Sequence, residues 1–356
     1  MRTELVADRT AWTGAELVTD RSWEHELSTV QRDELRSALD QVGGDRVDLA
    51  AITADMFAHP SLAPLVAAVR AELTQGRGFA LVHNFPVDDH ERTDVEKLYW
   101  GFCTQLGTGI TQNGDASLIH YVTDGALRPN QGTRGVGRPG PSGLHVDLTD
   151  CVSLLCLRQA SDGPPSWIAS SSQLFNDVLT ERPNDLEPLF RGFQWDRMGE
   201  NRPEESPTSG YLVPLFSEAG GRISCRYNRA WMASAARRLD QPFTDAEREL
   251  FDFLDERAHA NRLEFPFEAG DVQFANNYVA LHGRAGHEPE PDETRKRLLM
   301  RIWIDFPDSP PVLDEAVIRY GIVRHGNLGW TAAQLRDGIT GRRHARHGDG
   351  RPLVTA

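Results

Sequence analysis

Cysteine is scarce in this chain. The 356 residues hold four, Cys103, Cys151, Cys156 and Cys225, and no two form a C-x-x-C pair. A disulfide framework and a cysteine-ligated zinc are therefore not expected, and reduced core thiols are. Cys151 and Cys156 fit that reading, since they lie within the apolar run CVSLLCL. Long apolar runs are missing as well: nothing approaches the ~18 residues that a membrane helix needs. The opening MRTELVADRTAW has no apolar signal-peptide centre, so a cytoplasmic location is expected. Positive charge is the minority sign, with 38 Lys and Arg against 52 Asp and Glu and a formal net charge of −14. That balance disfavours nucleic acid and anionic membranes, both of which attract basic surfaces. Internal repeats and long linkers are absent.

What is present is ordinary globular material: 39% hydrophobic and 25% charged residues. The length allows one large domain, expected over residues 1–340, with a polar, basic tail over 341–356. Residues 1–75 read as a helical section. Ser28 and Gln31 make a capping box before RDELRSALDQV, and a second helix is expected from Ser61 to Leu73. A third carries Val95, Leu98, Tyr99, Phe102 and Leu106 at helical spacing and stops at Gly107. GFALVHNF reads as a strand between the last two. Residues 108–143, rich in Gly, Asn, Pro and Thr, read as a loop able to cover a site. Strand-like runs follow: CVSLLCL, SWIASS, GYLVPLF, RISCRY, DVQFANN and RLLMRIWID. Two helices break them, one after Ser171–Ser172 and one capped by Thr244 and Glu247. The pattern predicts a mainly β core with flanking helices.

Two features carry chemistry. In GLHVDLTD, His145 and Asp147 form an H-x-D pair, and residues i and i+2 of a strand face the same side. Downstream, NNYVALHGR supplies His282. Two imidazoles and a carboxylate on one face of a metal leave its other positions open, the usual arrangement of iron(II) oxygenases. By the alternation of RLLMRIWID, Arg297, Leu299, Arg301 and Trp303 share one strand face; Leu298, Met300, Ile302 and Ile304 share the other, which is wholly apolar and must be buried. Two guanidiniums then sit inside the core or at its mouth, where a cation needs a partner. A dicarboxylate matches their planar forks.

These segments, with GDVQFANNYVALHGR and SWIASS, resemble the iron(II)- and 2-oxoglutarate-dependent dioxygenases similar to taurine dioxygenase and clavaminate synthase, over roughly Gly76 to Asp305. The resemblance implies a double-stranded β-helix, or jelly-roll, with the metal between its two sheets. It implies His145, Asp147 and His282 as iron ligands. It makes Arg301 the partner of the distal carboxylate of 2-oxoglutarate, Arg297 a second contact and Ser166 a hydroxyl donor. It also implies a small organic substrate and O2 as partners, with release of succinate and CO2. With Asp147 present, hydroxylation, desaturation or ring closure is expected rather than halogenation.

The chain departs from the family in carrying Gly163-Pro164-Pro165 before Ser166 and GRAGHEP after His282, which makes His287 a surface or loop residue. Candidate substrate contacts are Arg226 and Arg229 of RYNRAW, Gln112 and Asn113 before the long loop, and Asn277. A small amino acid-like or natural-product substrate is the expectation. The competing readings are a zinc hydrolase and a non-catalytic metal-binding protein on the same fold; neither needs the paired arginines.

Overall fold

The computed structural model describes residues 2–42, 48–88, 90–113, 116–125, 137–199, 206–316 and 329–336. Its strands, in chain order, are β1 (Glu24–Glu26), β2 (Phe79–His83), β3 (Thr108–Ile110), β4 (His120–Val122), β5 (Ser142–His145), β6 (Cys151–Arg158), β7 (Ser166–Ser170), β8 (Phe216–Ala219), β9 (Arg222–Cys225), β10 (Leu263–Phe265), β11 (Val272–Asn276), β12 (Ala280–Arg284) and β13 (Leu298–Asp305). A seven-stranded sheet runs β1-β2-β11-β6-β13-β3, with β4 also paired to β13. A four-stranded sheet runs β10-β7-β12-β5, and β8 and β9 form a separate ribbon. β1 and β2 pair in parallel; the other ladders are antiparallel. This is the expected jelly-roll core with flanking helices.

The alternation of β13 decides which layer lies on which side. Leu298, Met300, Ile302 and Ile304 join the outer layer, packed with Leu65, Val69, Leu73, Leu98, Trp100 and Phe102. Those partners come from the helices Ala63–Thr74 and Arg92–Thr104. Leu299 and Trp303 face the other way, into a second cluster with Phe79, Val152, Ile168 and Leu281. Both capping boxes form: Ser28 and Gln31 exchange hydrogen bonds at 2.9 and 3.3 Å, and Thr244 and Glu247 do so at 2.9 and 3.2 Å. All four cysteines are free and buried.

Several expectations change. GYLVPLF is not a strand. Only Val213 bridges, to Phe193, and β8 begins at Phe216, because Pro214 has no N–H to give a ladder. RYNRAW opens a helix, Arg229–Arg238, capped by the Asn228 side chain. His282 lies on a strand of its own, β12, that the sequence reading did not separate from the segment before it. The stretch 108–143 holds β3, β4 and the start of β5. Its residues 126–136 lie outside the described residues, as does the tail 341–356. Among the described residues no helix is long and apolar enough to cross a membrane.

Candidate metal centre

β5 and β12 are neighbours in the smaller sheet, and His145 stands directly opposite His282 in their register. Their ring centroids are 4.5 Å apart. Close approach of the two strands depends on Gly283, where a Cβ would sit 2.7 Å from the Ser142 carbonyl oxygen. β5 ends at His145, so Asp147 lies just past the strand and not on it. The convergence expected from strand alternation still results: ligand atoms of His145, Asp147 and His282 all lie within 4.8 Å of one another.

Neighbouring groups aim two of the three donors, His145 and Asp147. His145 Nδ1 lies 2.8 Å from the Gly143 carbonyl oxygen, which leaves Nε2 pointing forward, 3.9 Å from Asp147 Oδ1. Such an outer hydrogen bond fixes the tautomer of a metal-binding imidazole. Asp147 is held at three atoms by four residues. Its N–H donates to Asn277 Oδ1 (2.9 Å) and its carbonyl accepts from Arg226 Nη1 (3.2 Å). Its Oδ2 accepts from Arg301 Nη1 (3.0 Å) and from Trp303 Nε1 (2.9 Å). Burial works to raise the Asp147 carboxyl, but the Arg301 charge, the two imidazoles and the Trp303 hydrogen bond outweigh it and hold it below the usual carboxylate range. Burial pushes His282 the other way, down to about 3, with His145 adding to the effect. The centre therefore offers an ionised oxygen and a neutral nitrogen with free lone pairs, beside His145 Nε2. That N,N,O set on one face suits iron(II).

A cavity of about 190 Å³ opens beside the triad, lined by His145, His282, Ser166, Arg284, Arg297 and Arg301 among others. Register sorts these residues by depth. Ile168 on β7 stands opposite His282, whereas Ser166 stands opposite Arg284, one pleat repeat further on. Arg301 is at the metal level, through its bond to Asp147. Arg297 lies just before β13, beyond the register shift between Leu298 and Leu299, and lines the same cavity. Arg297 is buried, and its Nε donates to Gln159 Oε1 at 2.8 Å. Burial, aided by the nearby Arg284 charge, lowers its pKa to about 10. A larger cavity, about 710 Å³, meets the first at His145 and is lined by Ser142, Asn228, Arg229, Trp231, Asp255 and His259 among others.

The five candidate substrate contacts separate. Arg229 lines the larger cavity, paired with Asp252 and Asp255, each at 2.7 Å. Arg226 does not reach either cavity. It is 2% exposed, donates to the carbonyls of Ala316, Asp147, Thr149 and Asn277, and stacks on Tyr278 at 3.8 Å. Gln112 is a support for Arg301: its Oε1 accepts from Arg301 Nε (2.8 Å) and its Nε2 donates to the Arg301 carbonyl (2.7 Å). Asn113 is buried and closes a turn by accepting from the Ser117 N–H. Asn277 is buried and positions Asp147. His287 is half-buried, its N–H donating to the Pro139 carbonyl. Sequence reasoning missed Trp303, Arg284 and Gln159. For the first two the signal was there, since Trp303 shares a face with the arginines and Arg284 lies two residues after His282.

Residues 46–303 match the model of the taurine catabolism dioxygenase TauD, TfdA family. An FR-33289 synthase from Streptomyces rubellomurinus is 28% identical over 309 residues, covering 84% of this chain and 90% of the relative. An asparagine oxygenase solved with Fe(II), 2S,3S-3-hydroxyasparagine and succinate superimposes with a TM-score of 0.61 at 16% identity, over 79% of this chain and 93% of that one. A non-haem iron oxygenase, OrfP, solved with Fe and alpha-ketoglutaric acid gives 0.58 at 17% identity, over 79% and 94%.

Proposed function

The chain belongs to the taurine catabolism dioxygenase TauD, TfdA family, and from that premise we propose how its own residues divide the work of an iron(II)- and 2-oxoglutarate-dependent oxygenase. His145, Asp147 and His282 hold the iron. The observation that carries this reading is their convergence beside a cavity lined by arginines. Bound iron supplies the redox chemistry that couples decarboxylation of 2-oxoglutarate, to succinate and CO2, to oxidation of the substrate by O2. The zinc-hydrolase and binding-protein alternatives give way to the family match.

The two arginines exchange the roles that the resemblance implied. A guanidinium already bonded to the metal-ligand carboxylate, as Arg301 is, stands too close to the metal for the far end of a five-carbon diacid. Arg297 has the better placement. It is buried, supported by Gln159, close to Arg284, and lines the same cavity as Ser166. We assign the distal carboxylate to Arg297 and the Ser166 hydroxyl, and the near end to Arg301, which Gln112 holds in place. A cation desolvated in this way costs free energy until a carboxylate meets it, so the site is built for an anion.

Volume separates cosubstrate from substrate. A cavity of about 190 Å³ has room for a five-carbon diacid and little else. The substrate therefore enters from the cavity of about 710 Å³ on the other side of His145, past Arg229, Trp231 and Asp255. Relatives solved with hydroxyasparagine and with arginine derivatives support a small amino acid-like or natural-product substrate. The enzyme is expected to act in the cytoplasm. The test is succinate formation from 2-oxoglutarate in air with iron(II). Wild type turns over 2-oxoglutarate and His282→Ala does not. Equal, metal-independent rates in both would refute the assignment.

A further inference from the structure

Asp147 has two carboxylate oxygens, and the structure treats them differently. Oδ2 accepts two hydrogen bonds, from Arg301 Nη1 at 3.0 Å and from the indole Nε1 of Trp303 at 2.9 Å. Oδ1 accepts none from a described side chain and faces His145 Nε2 at 3.9 Å, on the side where the triad converges. The backbone on either side of the carboxylate is pinned too, through Asn277 and Arg226. Trp303 itself has no freedom to move away. It is fully buried, is registered against Val152 of β6 and Ile110 of β3, and lies beside the Arg301 guanidinium at 5.1 Å.

A carboxylate can bind a metal through one oxygen or through both. Binding through both would take a coordination position that a metal held by His145, Asp147 and His282 would otherwise leave open to its other ligands. Two donors on one oxygen compete with the metal for its lone pairs, and they orient the group so that the other oxygen leads.

We propose that Trp303 is a positioning residue that, with Arg301, confines Asp147 to one-oxygen coordination through Oδ1. This inference rests on the iron-binding reading above. The indole N–H holds Oδ2 away from the metal and draws electron density from the ligand. Arg301 alone is an insufficient lock, because it must also serve the near end of the cosubstrate. The indole donor is uncharged and fully buried, and it stays on Oδ2 when the diacid enters.

The test compares wild type with Trp303→Phe, which keeps an aromatic ring and deletes the donor. A variant carrying benzothienylalanine at 303, which keeps the bicyclic shape and loses only the N–H, settles the matter if the phenylalanine protein folds poorly. Metal affinity is read calorimetrically with Mn(II) alone, and the ligand field by the visible charge-transfer band of the anaerobic iron(II)–2-oxoglutarate complex. Outer hydrogen-bond partners of metal ligands are worth about 10–100-fold in affinity. We expect a change of at least about 10-fold in Mn(II) affinity and a band moved to longer wavelength, since an Asp147 without its second donor gives more electron density to iron. A folded variant with affinity within about twofold of wild type and an unmoved band would overturn the proposal. If wild type itself formed no band, the iron reading would fail instead, so the two failures are distinct.

Discussion

Replacing Arg297 by methionine should weaken cosubstrate binding strongly while leaving the fold intact or firmer. Arg297 is 5% exposed, and its side chain has one neutral partner, Gln159 Oε1, at 2.8 Å. The nearby Arg284 charge makes its position less favourable still. In the protein without ligand it is thus a buried cation with no described carboxylate bonded to it. Exchanging such a charge for an apolar side chain of similar length is often neutral or stabilising. With 2-oxoglutarate bound, the balance reverses. Truncating one partner of a buried, hydrogen-bonded charge pair costs about 2–5 kcal/mol. At about 1.4 kcal/mol per decade, that is roughly a 30- to 4000-fold loss of 2-oxoglutarate affinity. The assay is a titration of the anaerobic iron(II) protein with 2-oxoglutarate, beside a urea unfolding curve of the metal-free protein. The reasoning fails if Arg297→Met binds 2-oxoglutarate within a few-fold of wild type, or if Arg301→Met weakens it more than Arg297→Met does.

Other consequences follow from single contacts. Gly283→Ala would put a Cβ 2.7 Å from the Ser142 oxygen and push β5 off β12; metal affinity should drop at least about 10-fold, with circular dichroism unchanged, and an unaffected affinity would show that the strand spacing does not matter. Arg226→Met leaves the carbonyls of Asp147, Thr149, Asn277 and Ala316 without their buried donor, a destabilisation of about 3–5 kcal/mol by urea midpoint; a loss under 1 kcal/mol would mean that water replaces the guanidinium. The hydrogen bond that His83 donates to Asp271 raises its pKa above the ordinary value, against partial burial and with help from the Glu24 charge. The stability it contributes is fully present below the unfolded histidine value, near 6.5, and is lost as pH rises through the raised folded one. The stability difference between wild type and His83→Gln should therefore be largest at pH 5.5 and vanish at high pH; a difference independent of pH would contradict the pairing.

The layering of the fold was legible because burial follows strand period. β13 reads as two faces in sequence, and its two faces lie in two different clusters. Capping boxes were legible because their hydrogen bonds are local. Short strands such as β5 and β12 were not, since four or five residues carry little periodicity and their pairing partners are far away in sequence. The three residues H-x-D and H could be named from spacing and family resemblance, and the structure brings them together. Depth in the cavity could not. Arg297 and Arg301 look equivalent in RKRLLMR; what separates them is the bond to Asp147 for one and burial against Gln159 for the other. Arg226 looked like a substrate contact because a charge near the site invites that reading. Its four backbone acceptors come from segments up to 90 residues away, which no local pattern records.

The most direct test of the central claim is the visible spectrum of the protein loaded with iron(II) in the absence of oxygen and titrated with 2-oxoglutarate. The account predicts a charge-transfer band that saturates at one cosubstrate per chain in wild type and is absent from Asp147→Ala. A folded, iron-loaded wild-type protein that develops no band would contradict it.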